Sequence, residues 1–247
     1  MDLKSCIAYL LKDKRGMNES AVGEILKIIL GINQKELKNA IKEMRQKKEL
    51  HFKEDLIKPT ARIKRRIPRV EKINYSLPLW HRRWTMVVFN IPEEGKRIRD
   101  QIRYQLKKYG FSIWQNSLWI SPHALPKELA QYFFNHGLSE RVKVFYGNLP
   151  SKDEEELVAS VWQIKRLEKQ YQNFIQEAKR RFKRLKRLEN LNSDLKEKAL
   201  DLLAKITEIK YLEIFKQDPK LPRPLLPRDW VGLRAFRIYQ QLEKYLK

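Results

Sequence analysis

Residues 84–122, WTMVVFNIPEEGKRIRDQIRYQLKKYGFSIWQNSLWISP, decide the fold of the middle of this chain. Met86 to Ile91 is an apolar, β-rich run of the kind that makes a buried strand. Ile98, Ile102, Leu106 and Tyr109 then recur at helical spacing, and Gly110 supplies the stop. FSIW and LWIS alternate as two further strands. Working outward, Leu125 to Phe134 has the pattern of a second helix and Val142 to Tyr146 that of a last strand. The resulting β-α-β-β-α-β order over about 65 residues is the ferredoxin-like pattern. The first strand ends in Asn90, and Arg97, Arg99, Arg103, Lys107 and Lys108 surround the helix. Such a unit is suited to meeting phosphate and poorly suited to cutting it.

The rest of the chain shares that cationic character. Of 247 residues, 53 are Lys or Arg and 30 are Asp or Glu, a formal charge of +23, while 42% hydrophobic residues exclude a wholly disordered protein. The excess is spread out. Residues 1–76 carry +9 (19 cations against 10 anions), 77–150 carry +6 (11 against 5) and 151–247 carry +8 (23 against 15). A cationic field distributed over folded segments points to nucleic acid, because neutralising phosphates releases counterions. General solubility is the alternative reading of the same charge. Cys6 stands alone, which excludes an intramolecular disulfide and a Cys-based zinc cluster and makes the reducing cytoplasm the expected location. No run is apolar enough to span a membrane, and MDLKSCIAYLLKDKRG lacks the features of a signal peptide.

The first third has the signature of a winged helix-turn-helix. Leu3 to Leu11 and Ala21 to Leu30 form two short helices, the second closed by Gly31. Asn33 begins a third as N-cap with Glu36 three residues on, a capping-box variant, and Leu37, Ile41 and Met44 give the inward stripe. Lys35, Lys38, Lys42 and Arg45 fall within roughly 80° of one another, flanked by Gln34, Asn39 and Gln46. That face suits a major groove, where Asn and Gln read adenine edges and Lys and Arg hold guanine or phosphate. A merely solvated amphipathic helix has the same look. Glu49 to Phe52 and Asp55 to Ile57 make a β-pair, and KPTARIKRRIPR from Lys58 to Arg69 adds six cations as a wing or its basic exit. The expected base-reading residues are Gln34, Lys35, Lys38, Asn39 and Lys42. Arg45, Lys53, Arg62, Lys64, Arg65 and Arg66 are expected on phosphates.

Enzyme signatures are missing. The eight glycines never fall closer than seven residues apart, so no Gly-rich phosphate loop can be written. His51, His81, His123 and His136 have no metal-ligand spacing, so neither a catalytic residue, a metal nor a cofactor is expected. Glu93 and Glu94 stand where they would cap a helix or complement its dipole, and Asp153 to Glu156 starts another helix. The six tryptophans suit core or interface anchors better than base-stacking platforms.

Two resemblances sharpen this outline. FNIPEE, a helix and then GFSIWQNSLWIS resemble the small CRISPR-associated ferredoxin-fold nucleases, with Gln115-Asn116-Ser117 as the later motif. In that family an aspartate at the strand end holds a divalent metal, and here the position is Asn90, a poor sole ligand for a hard cation. INQKELKNAIKEMRQKKEL with LIKPTARIKR, Trp80-His81-Arg82-Arg83-Trp84, Ile91-Pro92-Glu93, Trp119-Ile120-Ser121-Pro122, Asp218-Pro219-Lys220-Leu221-Pro222, Leu225-Leu226-Pro227-Arg228-Asp229-Trp230 and Gly232-Leu233-Arg234-Ala235 resemble the PaaX family of bacterial repressors in order, across nearly the whole chain. That resemblance implies a transcriptional repressor binding palindromic double-stranded DNA as a homodimer, released in the founding members by an aryl-acetyl coenzyme A thioester, an acyl-CoA-type effector.

The chain departs from the family pattern in a longer, more basic linker and in AKRRFKRLKRLENL. There Ile175, Ala178, Phe182 and Leu185 share a face, and seven cations lie between Lys179 and Arg187. The helix over 177–188 is a second phosphate contact or a solvated face of a bundle.

The expected fold is α+β: a winged helix-turn-helix over 1–68, a linker over 69–83, a ferredoxin-like dimerisation domain over 84–150 and a mostly helical domain over 151–247. The expected function is that of a homodimeric DNA-binding repressor. The alternative is a CRISPR-associated-like ferredoxin-fold protein that binds nucleic acid or cuts it with a metal.

Overall fold

The amino-terminal residues fold as helix, strand, two helices and a hairpin, in the order a winged helix requires. The computed structural model describes residues 1–13, 15–68, 77–115, 117–149, 151–184 and 191–243. Helices α1 (Leu3–Leu10), α2 (Glu19–Leu30) and α3 (Gln34–Gln46) are combined with strands β1 (Met17–Asn18), β2 (Leu50–Lys53) and β3 (Leu56–Pro59). The strands form an antiparallel sheet in the order β1-β3-β2, with Met17 opposite Ile57 and Leu50 opposite Pro59. Gly16 makes the first pairing possible. Its φ is +85°, and a Cβ there would stand 2.9 Å from the Ile57 carbonyl. The two-residue strand β1 was not expected from the sequence, since a strand that short has no period of its own and exists only through its pairing with β3.

This fold is completed by residues from far along the chain. Leu191, Ala199, Leu202, Leu203 and Ile206 join Cys6, Ile7, Leu11, Val22, Ile25, Leu26 and Met44 in one buried cluster. Four of the five lie on α8 (Ser193–Phe215), which packs against α1 and α2. Buried residues occur all round α8, as expected of a helix surrounded by protein. Farther along it, Tyr211 stacks on Tyr239 of α9 (Val231–Glu243) at 4.9 Å between ring centroids and lies near Tyr171 and Phe174 of α7 (Ile164–Arg184). Polar contacts fix the join. Tyr9 donates to Asp201 Oδ1 at 2.8 Å, Lys12 to Oδ2 at 2.5 Å, and Lys198 lies 3.5 Å from Asp13. Burial pushes the Cys6 thiol up to about 11, so it behaves as a small core residue.

Residues 74–169 and 217–230 form a second compact unit. Its sheet contains β4 (Trp84–Phe89), β5 (Ser112–Gln115), β6 (Leu118–Ser121) and β7 (Val142–Gly147), all neighbours antiparallel, in the order β5-β6-β4-β7. With α4 (Lys96–Lys108) and α5 (Lys127–Asn135) between strands, this is the expected ferredoxin-like topology. Ile102 and Leu106 of α4 and Leu129 and Phe133 of α5 bury against Val87, Phe89 and Trp119. Ile98, expected in the same stripe, is 40% exposed because it stands in the first turn of α4, ahead of the core. Helix α6 (Ser151–Val161) packs near β5, and Trp84 hydrogen-bonds Glu154 at 3.3 Å while stacking on Trp162.

Candidate nucleic-acid interface

The turn between α2 and α3 is built from its residue types. Gly31 adopts φ +77° and closes α2, and Asn33 caps α3 by accepting from the Glu36 amide at 2.9 Å. The Glu36 carboxylate returns the bond to the Asn33 amide at 2.8 Å, completing the capping box expected from the sequence. Leu37, Ala40, Ile41 and Met44 face the core, so the opposite side of α3 is committed to solvent. Gln34, Lys35, Lys38, Asn39, Lys42, Arg45 and Gln46 are all exposed there.

The electrostatic character of that face follows from where the acids of α3 go. Glu36 is held by its capping box and Glu43 by Lys4, whose ammonium keeps the Glu43 carboxyl below its ordinary range. No ion pair to Lys35, Lys38 or Lys42 is present among the described residues. Arg45 lies over the Phe52 ring of β2, 5.4 Å from its centroid, which orients the guanidinium without neutralising it.

The segment beyond α3 divides the expected phosphate contacts. Lys53 ends β2 and lies 3.9 Å from Glu54. Glu54 and Asp55 turn the hairpin with φ of +52° and +60°, the left-handed pair of a two-residue turn. The wing tip therefore carries two carboxylates beside Lys53, and the arginine-rich run lies behind it. It occupies a 3-10 turn, Ala61–Arg66, capped by Thr60. Arg62 donates to the Lys47 carbonyl at 3.5 Å, and Lys64 and Arg65 are exposed. Arg66 pairs with Glu49 at 2.7 Å, and both side chains are mostly buried. It is engaged within the fold, which the run of cations in the sequence could not reveal. Arg69 lies outside the described residues.

The basic helix α7 is of another kind. Arg181 pairs with Glu177, and burial lowers its pKa, while Arg184 donates to the Ile29 carbonyl at 3.3 Å. Lys179, Arg180 and Lys183 are exposed. Leu185, Lys186 and Arg187 lie outside the described residues.

At the end of β4, Asn90 lines a small hollow of about 210 Å³ with Arg99, Arg103 and Ser117. Arg99 donates to the Ile91 and Glu93 carbonyls and Arg103 lies 3.5 Å from Asp100, and none of the described lining residues is a carboxylate, the ligand a hard divalent cation prefers. Glu93 and Glu94 stand in a 3-10 turn that leads into α4. Asn116, the middle of the Gln115-Asn116-Ser117 motif, lies outside the described residues. No helix among the described residues is long and apolar enough to cross a membrane.

A winged helix with an outward basic helix, together with a ferredoxin-like domain, defines a modular α+β protein of the regulator class. The family model for the PaaX protein central Cas2-like domain matches residues 78–159, and that for the PaaX-like protein C-terminal domain matches residues 162–247. The two matches together span well over half of the chain, which belongs to the PaaX family and is a transcriptional regulator of the PaaX type. Regulators of this family bind DNA. Among solved structures the chain is similar to the "Uncharacterized protein Rv0674 from Mycobacterium tuberculosis", at 17% identity over 97% of this chain and 94% of that one, with a TM-score of 0.46. No curated protein matches.

Proposed function

We propose that this chain is a cytoplasmic repressor that binds double-stranded operator DNA as a homodimer, with α3 in the major groove. In this reading residues 1–68 are the DNA-binding domain, 69–83 a linker, 84–150 the dimerising domain and 151–247 the helical carboxy-terminal domain. Gln34, Lys35, Lys38, Asn39 and Lys42 read bases. Arg45, Lys53, Arg62, Lys64 and Arg65 hold phosphates, with Arg66 acting first on Glu49. An acyl-CoA-type effector that releases the repressor completes the reading, on the strength of the PaaX resemblance.

One observation carries it: α3 sends both of its carboxylates to partners of their own and leaves its lysines facing solvent together. The major groove of DNA, with guanine acceptors between two rows of phosphates, rewards such a stripe. The reading is regulatory and not enzymatic, supported by Asn90 and two arginines where a nuclease would hold its metal.

The test is the salt dependence of binding to duplexes from the gene's own upstream region and to random duplexes. Replacing Lys64 and Arg65 together by Ala is expected to reduce the slope of log K against log salt by about two, and replacing Lys38 and Lys42 together by Ala to weaken binding to the upstream duplex and relax its sequence preference. Unchanged affinity at several salt concentrations overturns the assignment of α3. Equal affinity of the wild type for upstream and random duplexes overturns sequence-specific repression. Sedimentation as a monomer both free and on DNA overturns the homodimer.

A further inference from the structure

In the second compact unit, α6, the first turns of α7 and the segment Pro224–Pro227 enclose a hollow of about 730 Å³. That volume lies within the range of small-molecule sites. Its lining is mainly apolar, including Trp80, Val158, Ile164 and Leu226. Both sides are braced in advance. Trp80 meets Trp84 edge to face at 5.7 Å, and Trp84 stacks on Trp162 at 5.9 Å. Across the hollow, Arg223 donates to the carbonyls of Leu226, Pro227 and Arg228, tying a proline-rich loop into one shape. A preformed apolar cavity binds without first ordering its own walls.

The charges on its rim say what would fit. Glu154, Glu155 and Glu168 line it together with Arg82 and Lys165, three carboxylates to two cations in a chain whose overall charge is +23. Of the three, only Glu154 has a hydrogen-bond partner among the described residues, the Trp84 indole at 3.3 Å. No ion pair joins these five groups among the described residues. A local excess of carboxylate beside an indole favours a cation and opposes a polyanion such as the phosphate-bearing part of coenzyme A.

We propose that this hollow is a small-molecule site for an amphipathic monocation, an apolar or aromatic body with one ammonium group. It is a different site in kind from one that takes an acyl-CoA nucleotide, and it stands or falls separately from DNA binding. The apolar body lies among Val158, Ile164 and Leu226, and the ammonium lies between Glu155 and Glu168.

The experiment is calorimetric titration of the full chain, without DNA, using three probes of nearly equal size: phenethyltrimethylammonium, its uncharged tert-butyl analogue and phenylbutyrate. Coenzyme A is the fourth. The cation is expected to bind at least about tenfold more tightly than the carboxylate, the equivalent of one partly desolvated ion pair. Ala159→Trp, which fills the hollow from an exposed lining position, should abolish binding. Glu155→Gln with Glu168→Gln should remove the preference for the cation while leaving the neutral probe unaffected, and this keeps the test valid if the tryptophan variant does not fold. Equal or tighter binding of phenylbutyrate or coenzyme A at this site overturns the proposal. So does binding that Ala159→Trp leaves intact, or binding of none of the probes at millimolar concentration.

Discussion

Helices α3 and α7 are both crowded with Lys and Arg, yet part of the charge on α7 is turned into the fold. On α3 the acids have local partners, Glu36 in the capping box and Glu43 with Lys4, and the cations are left to the solvent. In the second half of α7, Glu177 is turned to Arg181 and also lies 3.7 Å from Lys210, and Arg184 donates to the Ile29 carbonyl of α2, while Lys179, Arg180 and Lys183 stay exposed. Charge density therefore does not distinguish a binding face from a structural one. The distinction is made cation by cation: Arg181 and Arg184 are answered by a carboxylate and a carbonyl, whereas Lys35, Lys38 and Lys42, like Lys179, Arg180 and Lys183, are exposed with no ion pair among the described residues.

The strongest effect lies on α3. Lys38→Ala with Lys42→Ala should lower operator affinity about 30-fold near physiological salt, at roughly 1 kcal/mol for each lost base contact. Thermal stability should change little, because both residues are exposed. On α7 the pattern inverts. Arg181→Ala should destabilise the fold by about 1–2 kcal/mol, read as a shifted urea midpoint, because it removes a partly buried partner of Glu177. The folded variant should bind DNA as the wild type does. A large affinity loss there, with stability unchanged, would make α7 a phosphate contact and remove the contrast.

A smaller effect tests the capping of α3. Asn33→Ala should cost about 1 kcal/mol in stability by leaving the Glu36 amide without its acceptor. The smallest effect belongs to the wing. Glu54→Asn with Asp55→Gly keeps a residue pair that favours positive φ and removes two negative charges from the tip. Operator affinity should rise about two- to fivefold, because the phosphate contact assigned to Lys53 puts the tip close to the backbone. An unchanged value would place the tip, with Lys53, away from the DNA.

Some of the architecture is written locally and could be read directly. The Asn33–Glu36 capping box, the Gly31 stop, the inward stripe of Leu37, Ile41 and Met44 and the β-α-β-β-α-β order depend on neighbours three or four residues apart or on strand alternation. Strand β1 was not legible, because its two residues acquire a strand identity only opposite Ile57 and Leu56. Nor was the engagement of Arg66, since Glu49 lies 17 residues away and nothing in KPTARIKRRIPR separates it from Arg65.

By itself the sequence determined the PaaX resemblance, the fold classes of the first and middle segments, the cationic character and the exposed basic stripe of α3. Periodicity, caps and composition act over a few residues and survive in one dimension. Only the tertiary structure decided which cations are already answered, that Leu202, Leu203 and Ile206 complete a core begun by Ile7 and Val22, and that Asp201 ties α8 to Tyr9 and Lys12. It also brought five separate stretches of chain around one hollow with excess carboxylate. Those outcomes depend on distances between residues as many as 192 positions apart, and no local pattern carries them.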